Sequence, residues 1–219
     1  MKLFNIESPL MRFFTKVGDL ILLNFLWILC CLPVITIGAS TTAMYSCLLN
    51  RSIESSTVKR FFKSFVSNLG QATVLLLVEV VAFLLVYVNI RYYMNYLTES
   101  PIVMQVVLMI PSILILTVSS YIFPLQAHFA NTIKQTLKNA ALISIANFPI
   151  SVLITAINLL PIIIILVDVG VFLKGLVFLV IMGTTTIAYV NSLLLLRVFR
   201  KYMPDDELEE QIIIQNDTY

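Results

Sequence analysis

Five apolar segments of about 20 residues alternate with shorter polar stretches along the chain. They are Leu20–Ile37, Gln71–Ile90, Ile102–Leu125, Phe148–Val167 and Gly175–Val198. A helix of about 20 apolar residues is long enough to cross a bilayer. Lipid satisfies no backbone hydrogen bonds, so a spanning segment of this kind must be helical. The pattern therefore predicts an all-α, polytopic membrane helix bundle.

Two of the polar stretches also have helical periodicity. In Thr57–Leu69 and in Thr132–Ser144, apolar residues recur at helical spacing, with basic residues on the other side of the helix. These basic residues are Lys59, Arg60 and Lys63 in the first stretch and Lys134 and Lys138 in the second. Basic amphipathic helices favour the membrane interface on the anionic, cytoplasmic side. We expect two interfacial helices; the alternative for the first is a helix packed on the protein itself.

The first apolar segment contains its own interruption. Pro33 cannot continue a helix without losing a backbone hydrogen bond, and Gly38 favours a turn. We expect the helix to break between these two residues. The chain then either bends back as a re-entrant hairpin or crosses as a kinked fifth span. Four full spans follow this broken helix in both arrangements.

The distribution of Lys and Arg favours the hairpin. Cytoplasmic loops of membrane proteins carry an excess of these residues. If the first segment bends back, 12 of the 14 Lys and Arg lie on one side, and only Arg91 and Lys174 lie on the other. If it spans, the division is nine to five. We therefore expect both termini to be cytoplasmic.

The composition agrees with a membrane location and limits the function. The 219 residues are 59% hydrophobic and 12% charged, with a mean hydropathy of +0.97. Soluble domains carry about 25% charged residues. The net charge of +2, without a basic run, argues against a nucleic-acid partner. We expect one membrane domain over residues 1–204 and a poorly ordered acidic tail over residues 205–219.

A few polar residues fall inside the apolar segments and are candidates for function. Glu79 lies within the second segment, where a carboxylate is costly, so it is either hydrogen-bonded to a neighbouring helix or part of a proton-coupled site. Thr184 and Asn191 lie in the fifth segment. Thr184, Ala188 and Ser192 share one face there, and this segment either packs closely through these small residues or lines a polar pathway. Asn24 is a buried or boundary amide of the first segment.

The sequence contains no pattern that indicates catalysis or cofactor binding. The three cysteines and the single His128 have no metal-ligand spacing. We find no nucleophile–base pair and no Walker motif, so the chain cannot energise transport by itself. We expect a protein that is not an enzyme and that binds no cofactor or metal.

Three stretches of the sequence resemble a known family. They are "SPLMRFFTKVGDLILLNFLWILCCLPVITIGASTTAMYSCLL", "VKRFFKSFVSN" and "YIFPLQAHFANTIKQTLKNA". The first is similar to the N-terminal signature of the YesL-like family, a family of Gram-positive bacterial membrane proteins with a domain of unknown function. The resemblance extends over nearly all of the chain to Pro204. It implies a multi-pass protein of the bacterial cytoplasmic membrane.

The resemblance also implies a genomic setting, because such proteins are often encoded near carbohydrate ABC importers. Two functions follow as hypotheses. The first is an accessory or regulatory subunit that docks to the permease or the ATPase of a carbohydrate ABC importer. The second is a small stand-alone transporter of a solute or lipid, which would be helped by homo-oligomer formation.

Overall fold

A computed structural model describes residues 9–49, 56–96 and 100–203 of the chain. In this part the chain is helical throughout, with short connections and no strand. The elements, in order, are α1 (Pro9–Cys31), a 3₁₀ turn (Val34–Thr36), α2 (Ile37–Leu49), α3 (Thr57–Tyr96), α4 (Ile102–His128), α5 (Ile133–Ala146), α6 (Phe148–Val167), α7 (Val169–Phe178), a π-helical segment (Leu179–Gly183) and α8 (Thr184–Phe199). The expected acidic tail lies outside the described residues.

Five helical segments are long and apolar enough to cross a membrane, which confirms the predicted class of fold. They lie in α1, α3, α4, α6 and the helix that ends with α8. The predicted bounds of α6 are correct. The start of α4 at Ile102 follows Pro101, which is compatible with the first turn because the nitrogens there have no helical partner. Helix α5 begins after Thr132, whose side chain forms a reciprocal capping box with Gln135.

The chain turns back on itself after α1. The helix ends at Cys31, two residues before Pro33, and α2 begins at Ile37. Across the turn, the indole N–H of Trp27 donates a hydrogen bond to Thr41 Oγ1 at 3.2 Å. Since both residues lie four positions from the facing helix ends, α1 and α2 pack side by side as a hairpin. We call these two helices and their turn the α1–α2 hairpin.

The two limbs of the hairpin differ in length and in burial. Helix α1 has 23 residues and contains an apolar stretch that is long enough to span a membrane. Helix α2 has 13 residues, about 20 Å at 1.5 Å per residue, against a hydrocarbon core of about 30 Å. Ten of its residues are buried, so protein rather than lipid surrounds α2.

The helix breaks between Pro33 and Gly38, as expected, but Gly38 itself does not form the turn. Gly38 lies in the first turn of α2, and none of the described glycines has a positive φ. A Cβ at this position would collide with the carbonyl oxygen of Ala72 in α3 and would lie 3.0 Å from the Phe123 ring in α4. Glycine is needed here because it lets two helices approach closely, not because it turns the chain.

The expectation of a separate interfacial helix over Thr57–Leu69 needs a similar correction. This stretch and the second apolar segment form one helix, α3, of 40 residues. Gly70 does not interrupt it, because glycine inside a helix costs only about 1 kcal/mol relative to alanine. At about 60 Å, α3 is twice as long as the hydrocarbon core is thick.

The N-terminal part of α3 packs on the protein, as in the alternative from the sequence. Phe61 is fully buried and belongs to the main core, and Phe65 stacks on it with ring centroids 6.3 Å apart. Phe62 and Val66 remain exposed. The apolar face predicted for membrane binding is therefore divided between core packing and an outer surface.

Gly38 and Gly70 form a matched pair of variants that tests the close contact. We expect Gly38→Ala to lower the melting temperature in detergent, because the new methyl group meets the Ala72 backbone. Gly70→Ala should leave it unchanged or raise it, since nothing lies within 4 Å of that Cβ and alanine favours a helix by about 1 kcal/mol. Thermal unfolding of the purified proteins measures both. Equal melting temperatures for the two variants would contradict the packing role of Gly38.

Candidate functional site

Asn24 is fully buried and joins α1 to the π-helical segment and to the first turn of α8. Its Nδ2 donates to the carbonyl oxygen of Val180 at 2.6 Å, and its Oδ1 accepts from the backbone N–H of Thr185 at 3.1 Å. The Thr185 hydroxyl donates to the carbonyl oxygen of Leu20 at 2.9 Å. The candidate Asn24 is thus placed as a connector between two helices.

Asn191 lies in a second polar cluster, which crosses from α8 through α6 to α4. Asn191 Nδ2 donates to Asn158 Oδ1 at 2.6 Å, and Asn158 Nδ2 donates to Ser120 Oγ at 3.3 Å. Ser120 also bonds the hydroxyl of Thr155 at 3.3 Å. Asn191 is fully buried, and its Oδ1 has no hydrogen-bond partner among the described residues. These groups hold three helices together.

Thr184 is half-buried. Its neighbour Thr185, which the sequence did not single out, forms the hydrogen bonds to α1. On α8, Thr185 and Ser192 are fully buried and Ala188 is 2% exposed. The buried face of small residues, expected to consist of Thr184, Ala188 and Ser192, therefore begins at Thr185 instead of Thr184. Helical spacing alone could not detect this shift, because residues three apart and residues four apart both share a helix face.

Glu79 is buried in the span of α3, with 6% of its side chain exposed. Its Oε1 has no hydrogen-bond partner among the described residues. The structure does not bring Glu79 together with Asn24, Thr185 or Asn191 in any hydrogen bond of the described chain. It remains an isolated carboxyl group within an apolar helix.

The basic candidates lie on exposed surfaces of α3 and α5. Lys59, Lys63, Lys134 and Lys138 are exposed, and Arg60 is half-buried. The opposite side of α5 is fixed to the bundle, because Thr136 is fully buried and donates to Gln126 Oε1 at 2.9 Å. The two lysines of α5 are therefore presented outward by a firmly held helix.

A network of amides near this surface was not found from the sequence. Gln126 of α4 is buried, and its Nε2 donates to Gln71 Oε1 at 2.6 Å and to Asn68 Oδ1 at 3.2 Å. Together with Thr136, this network joins α3, α4 and α5. The only signal in the sequence is a glutamine inside the apolar end of α4, which gives no indication of its partners.

An open pocket of about 460 Å³ lies beside this network. Its lining carries no acidic side chain, lysine or arginine, and consists of Asn68, Gln71, Gln126, Ala127, His128, Phe129, Ala130, Asn131 and Thr132. Residues 129–132 connect α4 to α5 and form part of the wall. The pocket is uncharged, and the lysines of α5 stand outside it.

No group of three or more His, Cys, Asp or Glu residues that could hold a metal occurs in residues 9–49, 56–96 and 100–203. Cys30 and Cys31 are half-buried free thiols, and Cys47 is a buried free thiol. The chemistry available at the sites described above is therefore hydrogen bonding by amides and hydroxyls, one isolated carboxyl group, and exposed positive charge.

These features define a multi-pass helical membrane protein with a tightly packed N-terminal hairpin. Residues 20–90 match the family model described as protein of unknown function, DUF624, which is the family of YesL-like proteins. The match confirms the family resemblance from the middle of α1 through α2 to most of α3. Neither a curated protein nor a solved structure matches the chain significantly.

Proposed function

We propose that the protein is an accessory or regulatory membrane subunit that docks to a partner complex. The polar side chains buried in the bundle support this proposal. Asn24, Thr185 and Asn191 are fully buried, and their hydrogen bonds join one helix to another. Interhelical hydrogen bonds of this kind contribute about 0.6–2 kcal/mol each. Such groups fasten a scaffold, whereas a solute pathway needs polar groups that face open space.

The surface best suited to docking is formed where α5 meets the ends of α4 and α8. The His128 ring of α4 stacks on the Phe199 ring of α8, with centroids 5.4 Å apart. At the start of α6, Asn147 bonds Tyr202 at 3.0 Å and Lys201 at 3.0 Å. These contacts bring the two lysines of α5 into one region with Lys201, just after the C-terminal end of α8. We call this region the basic end.

The identity of the partner comes from the family resemblance and not from the geometry. The resemblance suggests the permease or the ATPase of a carbohydrate ABC importer, in the bacterial cytoplasmic membrane. The chain has no Walker motif, so energy for transport would come from the partner's ATPase. An exposed basic surface fits docking on the cytoplasmic side, where basic residues of membrane proteins collect.

Single cysteines test the orientation that this proposal requires. Lys138 lies at the basic end and Lys174 lies in α7, and both side chains are exposed. In a background without Cys30, Cys31 and Cys47, a membrane-impermeant maleimide should label a cysteine at 174 in intact cells. A cysteine at 138 should react only after permeabilisation. Labelling of position 138 in intact cells would contradict a cytoplasmic basic end.

Affinity purification from the native host tests the docking surface. We expect the wild-type protein in mild detergent to retain subunits of an ABC importer. The variant Lys134→Gln/Lys138→Gln should retain several-fold less, because it removes the positive charge and preserves side-chain length. The matched control is Arg91→Gln/Lys174→Gln, which removes two charges elsewhere and should behave like the wild type.

Two outcomes would count against the proposal. Equal recovery of the importer with both double variants would show that α5 is not the docking surface. A wild-type protein that purifies alone or as a homo-oligomer, and that a small solute stabilises, would favour the transporter hypothesis. The membrane extraction must preserve known complexes of the host, which serve as the positive control.

The transporter hypothesis has one observation in its favour, the isolated carboxyl group of Glu79. Buried carboxyl groups within spans often belong to proton pathways. We expect no proton-coupled role, so Glu79→Gln should keep the melting temperature and the recovery of partners close to wild type, because the amide keeps the shape and the polarity. Glu79→Leu is the matched apolar variant. A Glu79→Gln protein that folds normally and has lost its function would support a proton-coupled site.

A further inference from the structure

The side chain of Asn24 enters the hydrogen-bond ladder of another helix. Val180 and Thr185, which it bridges, are five residues apart. An α-helix joins residues four apart, and a π-helix joins residues five apart. Asn24 supplies a donor to the carbonyl and an acceptor to the N–H, so one carboxamide satisfies both backbone groups. A side chain inserted into the ladder is a recognised cause of a local change in a helix.

The π-helical segment contains one residue more than an α-helix would use for the same turn. Leu179–Gly183 lies immediately before α8, and Asn24 bridges from Val180 within the segment to Thr185 just after it. If the segment closed to an α-helix, α7 would rotate relative to α8 by about 100° and move by about 1.5 Å. The register between α7 and α8 therefore depends on a side chain that belongs to α1.

We propose that Asn24 is a wedge that keeps Leu179–Gly183 open, and that its withdrawal with α1 closes the segment and rotates α7. This inference goes beyond the proposed docking function and does not depend on the identity of any partner. Helix α1 is in turn connected to α3, because the Thr57 hydroxyl donates to Asp19 Oδ1 at 3.0 Å. A movement at the start of α3 can therefore be transmitted through α1 to α7.

A deletion provides a direct test of the wedge. Removing Ile181 places Val180 and Thr185 four positions apart, so their backbone groups can bond each other in an α-helix. Asn24 then loses both of these backbone partners. We expect the Ile181 deletion and Asn24→Leu each to lower the melting temperature in detergent. The double variant should melt higher than either single variant, because the shortened helix no longer needs the amide and the leucine fills its space.

The control cycle combines the same deletion with Asn158→Leu, which removes another buried amide from a different cluster. We expect the losses in this second cycle to add. Additive losses in the Asn24 cycle as well would overturn the proposal. They would show that the amide and the extra residue contribute independently to stability.

Spin labels on one helical run test closure itself, even if the deletion variant fails to fold. Leu173 is 60% exposed and Leu193 is 45% exposed, so labels at these positions report on the segment between them. In a background lacking the native cysteines, Asn24→Ala should shift the label-to-label distance away from wild type, as expected for a rotation of about 100°. The Ile181 deletion should keep the wild-type distance. An unchanged distance in Asn24→Ala would reject the wedge.

Discussion

Lipid offers no hydrogen-bond partner to a polar group, and this constraint governs the interior of the bundle. Each buried amide must find its partner on another helix or on a neighbouring backbone. Asn24, Gln126 and Asn191 do so in three separate places, between α1 and α8, between α3, α4 and α5, and between α4, α6 and α8. The same interactions that satisfy these groups also specify which helices are neighbours.

Close packing of the α1–α2 hairpin is the second requirement, and it depends on small residues. Dispersion forces act only at short range, so two helices in lipid associate best where their backbones approach closely. At Gly38 the approach to Ala72 leaves no space for a methyl group. The hydrogen bond from Trp27 to Thr41 then holds the two limbs together. A helix as short as α2 is stable at this depth because the surrounding helices bury it.

The structure divides its polar groups by function. Amides and hydroxyls within the bundle connect helices, and the exposed lysines of α5 lie outside it. Between these two groups lies the network of Gln126, which anchors α5 and borders an uncharged pocket. Helix α5 is thereby fixed on one side and free to meet a partner or the membrane surface on the other. The isolated carboxyl group of Glu79 belongs to neither group.

The sequence alone determined the class of fold and most of the helices. Apolar runs of membrane length and the helical periodicity of Thr132–Ser144 are local signals, and each predicted a span or a helix correctly. The sequence also identified Asn24 and Asn191 as polar residues within apolar segments. Local signals suffice for these features because helix formation depends on neighbouring residues along the chain.

Only the tertiary structure decided what these residues do. Gly38 and Gly70 look alike in sequence, but only Gly38 meets another backbone when a Cβ is added. The role of Thr185 rather than Thr184 depends on contacts with two residues of α1, which lie 161 and 165 positions earlier in the chain. The partners of Gln126 lie on two other helices. Contacts between distant segments leave no periodic signal in one sequence, because helix packing and not residue order brings them together.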